Sequence, residues 1–430
     1  MSSLLNPKIQ TLAGWANYPV VQARVFEPTN HEECRSVVLE NERVIARGNG
    51  KSYGDAALAP TLLSTLSLKR IIGFDRQTGV IECEAGVLLS ELLRIIVPAG
   101  WFFRVTPGIK AITVGGAIAS DVHGKNHPTA GCFSNHLISF QLMDGQGQIK
   151  TCSRYENTDL FWATCGGMGW TGVVLSAQFS LLKISTTVMR QKTVSCPNLE
   201  KLFTAFADNR GWPYAAGWID CTHEAWRGAV FFAEHLESKT SQEPLVFAES
   251  RKRNVPFFAP SWFLNPLSIR AHNTYFHLKN KDGEREISLD RYFYPLDALQ
   301  NWNRFYGRRG FVQYQFCIPE ERAFEGMQQV LGAIKKSGET PFLSVLKRHG
   351  ERPPEAANSF PIRGFSLALD FPRTAGVFGL VRHLDELVWD SGGKIYLTKD
   401  ACSAPGMGRL NPETFGERKF SSLLRERIGG

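Results

Sequence analysis

Two glycine-rich segments constrain this chain more than anything else in it. RGNGKSYGD occupies residues 47–55, and TPGIKAITVGGAIASDVHGKNH occupies residues 106–127. Both stand at the ends of stretches that read as strands, about sixty residues apart. That spacing suits a long dinucleotide threaded between two small subdomains, whereas a single Rossmann crossover needs only one such loop. In the first segment, Gly48, Gly50 and Gly54 free the backbone to take positive φ and to approach a ligand closely. Successive backbone N–H groups in such a turn form a nest for phosphate oxygens. In the second, Gly108, Gly115 and Gly116 precede a run of small residues, 117–120, which lets amides line a ligand without steric conflict. His123, Lys125 and His127 follow beside the same loop, and a third flexible turn, with Gly166, Gly167 and Gly169, precedes Trp170.

Taken alone, the first loop admits other readings. Gly50, Lys51 and Ser52 match the end of a P-loop, but that pattern needs glycine where Ile45 stands. The string from Gly50 to Gly54 also matches the GxSxG elbow of a serine hydrolase, with Ser52 as nucleophile. An elbow should lead into a packed helix, whereas this chain meets Pro60 after one turn. A plain surface turn fits as well.

Around the loops, residues 43–47, 80–84 and 173–182 read as strands. Leu88, Leu89, Leu92, Leu93 and Ile96 fall at helical spacing over residues 88–97, and the pattern stops at Pro98. Residues 136–143 and 148–152, joined by a turn at 144–147, read as a hairpin, and Asn157 can cap a helix through Phe161 and Trp162. Near Lys183 the texture changes to alternating strands and longer amphipathic helices, such as 320–334, so a domain boundary is expected near 182–186. Residues 238–267 read as a long loop or insertion. Glycine density returns at Gly392, before an expected strand over 394–398. Residues 420–428 read as a short helix with Phe420, Leu423, Leu424 and Ile428 inward.

A chain of 430 residues is too long for one compact core. Its net charge of +8 favours anionic partners. The cations are scattered, with one short cluster at Arg251, Lys252 and Arg253, and lack the long basic stripe of a nucleic-acid binder. None of the nine cysteines is spaced as CxxC, so no zinc, other metal or redox signature is present. Their spacing fits reduced, mostly buried thiols in a cytoplasmic protein. The N-terminal segment lacks a charged region followed by an apolar one. The most apolar stretch, 87–103, is broken by Glu91, Arg94 and Pro98, so it is no transmembrane span.

Taken in order, RGNGKSYGD, TPGIKAITVGGAIASDVHGKNHPTAG and DLFWATCGGMGWTG resemble the FAD-binding domain of the vanillyl-alcohol-oxidase class. More closely, they resemble the family of the oxidative subunit of decaprenylphosphoryl-ribose 2-epimerase. The likeness continues through YPLD at 294–297, WNR at 302–304, VQYQF at 312–316, FPI at 360–362, DFP at 370–372 and YLTKD at 396–400. It covers nearly the whole chain, most thinly over 185–280. It implies an α+β, two-domain vanillyl-alcohol-oxidase-type fold. A PCMH-type FAD-binding domain of two α+β subdomains would span 1–185. A substrate-binding domain with an antiparallel sheet would span 186–393, and a C-terminal segment, 394–430, would return to the first domain.

The resemblance also implies site residues. The first loop would embrace the FAD pyrophosphate through Ala46, Arg47, Gly48, Asn49, Gly50, Lys51, Ser52, Tyr53, Gly54 and Asp55. The second would wrap the cofactor through Gly108, Thr113, Val114, Gly115 and Gly116, then Ser120, Asp121, Val122 and His123. Val174 would lie on the adenine side, and Tyr396 would approach the flavin from the second domain. Many relatives in the wider class tether flavin to a histidine where this chain has Lys51, so non-covalent FAD is implied. Lys399 matches a lysine beside flavin and substrate; its spacing alone is equally that of a surface lysine after a strand. His123 matches a histidine near the ring and is the competing base, or else satisfies loop carbonyls. Tyr53, Gln313, Gln315, Lys347 and Lys399 would line the substrate side. Alternation alone says only that Gln313, Gln315 and Cys317 share a strand face.

The implied reaction takes a proton from an alcohol oxygen and a hydride from its carbon. The implied substrate is a polyprenyl-phosphate ribose, oxidised at the 2-hydroxyl to a keto sugar. This is the first half of an epimerisation to arabinose for the cell envelope, and a separate NAD(P)-dependent reductase would complete it. A soluble sugar, aldonolactone or other alcohol is the alternative substrate, and a serine hydrolase the remote alternative. Arg251, Lys252 and Arg253, followed by Phe257, Phe258, Trp262 and Phe263, are compatible with a lipid phosphate and a peripheral contact at the inner face of a membrane. They are equally compatible with a solvated loop.

Overall fold

The protein, seen as a computed structural model that describes residues 5–237, 245–260, 262–404 and 419–429, is built on three main sheets. The first has four strands in the order Lys8–Ala13, Val20–Phe26, Thr61–Ser64, Ile45–Arg47, and its last three strands run parallel. Parallel strands need a crossover, and helix His31–Glu40 supplies it between Val20–Phe26 and Ile45–Arg47. Asn30 starts that helix by accepting a hydrogen bond from the Glu33 amide at 3.0 Å. The first glycine-rich loop leaves the end of Ile45–Arg47.

The second sheet is antiparallel, in the order Ile71–Asp75, Val80–Glu84, Val173–Lys183, Leu137–Met143, Ile149–Ser153, with Trp101–Phe103 pairing to the far end of Val173–Lys183. The central strand is buried throughout its first half, Val173–Ala177, and alternates buried and half-buried residues after it. Helix Leu89–Ile96 packs beside it, burying Leu89, Leu92, Leu93 and Ile96 and ending before Pro98. The hairpin closes as expected, with Met143 opposite Ile149.

The third sheet has eight strands, all antiparallel, in the order Gly283–Ser288, Val188–Cys196, Gly228–His235, Tyr214–Ile219, Leu343–His349, Gly364–Pro372, Phe311–Pro319, Lys394–Ile395. Helices Leu199–Asp208, Ala323–Ser337 and Val377–Asp390 cover one face through Leu202, Phe206, Met327, Leu331 and Leu384. The opposite face meets the two glycine-rich loops and, at Trp218 and Phe231, Phe276 of helix Pro266–Lys279. Mixed helices and antiparallel sheets make the fold α+β. Among the described residues, no helix is long and apolar enough to cross a membrane. All nine cysteines are free, and only Cys402 is less than buried.

Several local expectations shift. The strand expected at 394–398 is confined to Lys394–Ile395, because the chain then turns: the Lys399 amide bonds the Tyr396 carbonyl at 2.9 Å. Asn157 precedes helix Thr158–Thr164 in a left-handed conformation, φ 47°, and its side chain donates to the Thr151 carbonyl instead of capping. The helix expected over 320–334 begins as a 3₁₀ turn, Glu320–Arg322, before Ala323–Ser337. Within the expected insertion 238–267, residues 238–244 and 261 lie outside the described residues, and Pro266–Lys279 is a helix. The last helix is Leu423–Ile428, capped by Ser422, with Leu424 and Ile428 buried and Leu423 half-buried.

That last helix ties back to the start of the chain. Val44 bridges Phe420, and the Leu423 amide donates to the Leu58 carbonyl at 2.8 Å. Arg427 holds both Asp55 oxygens at 3.0 Å and Asp400 at 2.9 Å. Both carboxylates are almost fully buried. Removing one partner of a buried ion pair leaves uncompensated charge, at a cost of about 3–5 kcal/mol. Arg427→Met is therefore expected to lower the urea midpoint strongly at pH 8. At pH 5 the loss should be smaller, because burial already pushes the Asp55 carboxyl up and, without Arg427, it can take a proton there. An equal loss at both pH values would show that charge is not what Arg427 supplies.

Candidate active site

A cavity of about 480 Å³ lies between that opposite face of the eight-stranded sheet and the glycine-rich loops. Residues 48–52 line it, and among the described residues none of their five amide N–H groups has a hydrogen-bond partner. All five residues are half-buried, and a consecutive run of unpaired amides in such a turn fits an anion nest. Gly50 holds φ at +59°, where a side chain is strained. The two loops are clasped together: Asn49 Nδ2 donates to the Ala111 carbonyl at 2.8 Å, and a Cβ on Gly48 would stand 2.2 Å from Thr113 Oγ1. Thr113 caps the short helix Val114–Ala119 by accepting from the Gly116 amide at 3.1 Å. Gly108, Gly115, Gly116, Ser120, Val122 and Val174 extend this wall.

The sheet wall follows from the two-residue period of a strand. Register sets Gln313 opposite Asp370 and Asp370 opposite Leu343. One step along, Gln315, Ala368, Val345 and Trp218 form a row across four strands. Ser366 and Lys347 form the next pair. Beyond Trp218, Phe231, Phe276 and Phe293 make one end of the cavity apolar.

Lys399 enters from the turn after Lys394–Ile395. Its ammonium lies over the Tyr53 ring, 3.5 Å from the centroid. Burial pulls its pKa down towards neutrality, the Asp370 charge opposes that fall, and Lys347 adds to it. Burial pushes the Asp370 carboxyl up; Gln313 Nε2 donates to its Oδ1, and Oδ2 is buried without a partner. His123 is buried, and its Nε2 faces Gln315 Nε2 at 3.2 Å. With that amide donating, the Nε2 lone pair is used, and the neutral ring carries its proton on the unpartnered Nδ1. Burial, with Lys347 next in importance, lowers the His123 pKa well below its usual value. The Tyr396 hydroxyl donates to the Ser120 carbonyl at 3.1 Å, which joins the Lys399 turn to the second loop.

Most residues expected at the site line this one cavity, including Ala46, Tyr53, Gln313, Gln315, Lys347, Tyr396 and Lys399. Five expected cofactor contacts stand behind the wall instead. Arg47 points back to the carbonyls of Ala57 and Ala13, both at 2.9 Å. A Cβ on Gly54 would fall 1.8 Å from the Asp400 carbonyl oxygen, so this glycine serves chain packing. Asp55 is held by Arg427. Val114 is in the apolar core. Asp121 accepts from the Ser134 amide and from the hydroxyls of Ser134 and Ser359. Lys51 lines the cavity, but its ammonium sits 3.6 Å over the Trp15 ring. Sequence reasoning missed Asp370, Lys125 as a lining group, and the aromatic end. For Asp370 the signal is strand register, which appears only once the strands are paired; Lys125 stands in a turn and Phe276 and Phe293 on helices, and only tertiary packing brings them to the cavity. No helix follows the first loop before Pro60, so the strand–turn–helix context of a hydrolase elbow around Ser52 is absent.

Residues 22–153 match the family described as FAD binding domain. The chain is 32% identical to decaprenylphosphoryl-β-D-ribose oxidase of Mycolicibacterium smegmatis, over 94% of this chain and 90% of that protein. It is 32% identical to L-gulonolactone oxidase of Scyliorhinus torazame over 38% of each, and 25% identical to D-arabinono-1,4-lactone oxidase of Yarrowia lipolytica over 44% of this chain and 39% of that one. FAD is accordingly the cofactor, and the amide cradle over residues 48–52 fits its pyrophosphate. Gly50→Val is expected to purify without flavin, because a β-branched residue resists φ near +59°. Ser52→Ala should retain both flavin and activity, since its hydroxyl is one donor among many. The flavin-to-protein absorbance ratio and turnover decide; the reverse pattern would give Ser52 the central role.

Proposed function

The chain belongs to the family of decaprenylphosphoryl-β-D-ribose oxidase and is an FAD-dependent oxidoreductase acting on alcohol groups, and from that premise we propose that it oxidises a polyprenyl-phosphate ribose at the sugar 2-hydroxyl to a keto sugar. The observation that carries this reading is the two-ended cavity. One end has the amide cradle, Lys399 and the two glutamines; the other has Trp218, Phe231, Phe276 and Phe293. A free sugar or lactone has nothing to offer the aromatic end. The lactone oxidases match less than half of this chain, which supports the cofactor and not a lactone substrate.

We assign residues 1–185 to cofactor binding, 186–393 to substrate binding, and 394–430 to a return segment that brings Tyr396 and Lys399 to the first part. When bound, FAD accepts the hydride from the substrate carbon. Lys399 takes the hydroxyl proton, because burial makes its neutral form accessible and, among the described residues, its side-chain nitrogen has no hydrogen-bond partner. Gln315 orients the His123 ring, which burial keeps neutral, while Tyr53 and Tyr396 wall in the reacting carbon. Asp370 tunes Lys399 through charge, and Gln313 holds Asp370.

A lipid-linked substrate implies contact with a membrane surface. Helix Pro266–Lys279 sends Phe276 to the cavity and exposes Leu267, Tyr275 and Leu278, beside exposed Phe257 and Trp262 and the cations Arg251, Lys252 and Arg253. We place the protein in the cytoplasm, with this face on the inner leaflet, and a separate NAD(P)-dependent reductase downstream to reduce the keto sugar to arabinose.

We expect FAD to be held without a covalent bond, Lys51 standing where tethered relatives carry histidine. Acid precipitation should leave all flavin in the supernatant; flavin on the pellet overturns the claim. For catalysis, polyprenyl-phosphate ribose should bleach the flavin anaerobically, and free ribose or gulonolactone should not. Lys399→Ala should bleach roughly a hundredfold to ten-thousandfold more slowly at saturating substrate, with flavin retained. In the native enzyme this rate should climb with pH as Lys399 loses its proton. Asp370→Asn removes the negative charge that raises the Lys399 pKa, so the climb should move to lower pH. If Lys399→Ala bleaches normally and His123→Ala does not, His123 is the base.

A further inference from the structure

The cavity holds more positive charge than its cofactor cradle explains. Lys125, Lys347 and Lys399 all line it, and Asp370 stands against Lys399 alone. Among the described residues, neither Lys125 nor Lys347 has a carboxylate partner. The Lys125 ammonium donates to the Tyr292 carbonyl and lies 4.1 Å over the Tyr292 ring; among the described residues the Lys347 ammonium has no hydrogen-bond partner. Both lie along the same edge of strand Tyr214–Ile219. The Lys125 carbonyl accepts from the Ala215 amide at 2.8 Å, and two residues on, Gly217 pairs with Leu346.

Among the described residues, none near them supplies negative charge. His123, His127 and His349 pack edge to face beside Lys347, with ring centroids 4.9 and 4.8 Å apart, and all three are kept neutral by burial. The Ser366 hydroxyl is taken up by His349 Nε2 at 2.7 Å. Burial lowers Lys125 to about 7 and Lys347 to about 8, and the charge on Lys347 adds to the fall at Lys125. Two neighbouring ammonium groups without a counter-ion are unfavourable until an anion joins them. Flexible lysine stems suit a group with several charged oxygens. The aromatic end adjoins them, since Trp218 lies two residues beyond Ala216 and opposite Val345.

We propose that Lys125 and Lys347 form a subsite for a phosphate ester, the group that links sugar to apolar chain in the substrate proposed above, on which this inference rests. Lys347 thereby gains a specific partner atom, and Lys125 a role in binding. The subsite also gives the cavity an order: hydroxyl at Lys399, phosphate between the two lysines, chain along Trp218 and Phe276.

The test is calorimetric titration of the holoenzyme with farnesyl phosphate, ribose 5-phosphate, inorganic phosphate and farnesol. It compares the native protein with K125M, K347M and the charge-keeping K125R and K347R; K125Q and K347Q serve where methionine is not tolerated. Farnesyl phosphate should bind roughly tenfold to a hundredfold more weakly to each methionine variant, the size of a lost charge-assisted hydrogen bond. Binding should recover in the arginine variants, with farnesol binding and flavin content unchanged. Strong farnesyl phosphate and weak ribose 5-phosphate binding assigns a lipid phosphate, and the reverse a soluble one. Either supports the subsite. Phosphate binding unaffected in both methionine variants, or a parallel loss of farnesol, overturns it. If the lysines hold farnesyl phosphate but polyprenyl-phosphate ribose does not reduce the flavin, the substrate reading fails and the subsite stands. If reduction proceeds with unchanged KM in K125M and K347M, the subsite fails and the substrate reading stands.

Discussion

The arrangement depends on one close contact, where the first glycine-rich loop meets the turn that carries Lys399. The Tyr53 amide donates to the Thr398 carbonyl at 3.0 Å, and the Asp400 carbonyl oxygen occupies the space a side chain at Gly54 would fill. Arg427 closes the joint from behind by bridging Asp55 and Asp400. The polar residues of this loop are divided by direction: its amides face the cavity, while Arg47, Gly54 and Asp55 face inward and hold the loop still. A cradle of unpaired N–H groups needs that support, since a looser loop would satisfy its amides locally. The same joint sets Lys399 over the Tyr53 ring, so cofactor cradle and acid–base group are positioned by one set of contacts.

The electrostatics of the cavity follow from its burial. Lysines in low-dielectric surroundings lose part of their preference for the charged form. At Lys399 that loss is useful for proton transfer, and Asp370 limits it. At Lys125 and Lys347, among the described residues, no acid limits it. Three histidines pack in the same region without adding charge, and each has one ring nitrogen buried and unpartnered. The protein tolerates this where a purely structural core would not, which is the usual mark of a site that receives a polar ligand.

How much of this was legible in the sequence depended on whether the signal was local. Helix Leu89–Ile96, strand Val80–Glu84 and the hairpin at Met143 and Ile149 follow from spacing and turn chemistry within a few residues. Gly50 and its positive φ were readable for the same reason. The turn after Ile395 was not: residues 394–398 are as apolar as a strand, and only pairing to Phe311–Pro319 ends it after two residues. Asp370 sits in the apolar run FSLALDFP, where one acid reads as a strand end. It became visible when register set it opposite Gln313. Membership of a motif was also an imperfect guide to direction. Arg47, Asp55 and Asp121 belong to the loops yet bond away from the cavity, because fixing a loop takes polar side chains as much as using it does.

The joint between Tyr53 and Thr398 has a consequence for how the molecule is made. A ribosome adds about 5–20 residues per second, so the roughly 345 residues between the two partners take somewhere between a quarter of a minute and over a minute to appear. Arg427, which locks the joint, comes later still. Through that interval the nascent first loop has neither its backing carbonyl nor its salt-bridge partner, and its amides can be satisfied only by water or by the wrong neighbours. Chain order thus separates two events: the strands around the loop can form during synthesis, whereas the contacts that back it are complete only when the last helix arrives.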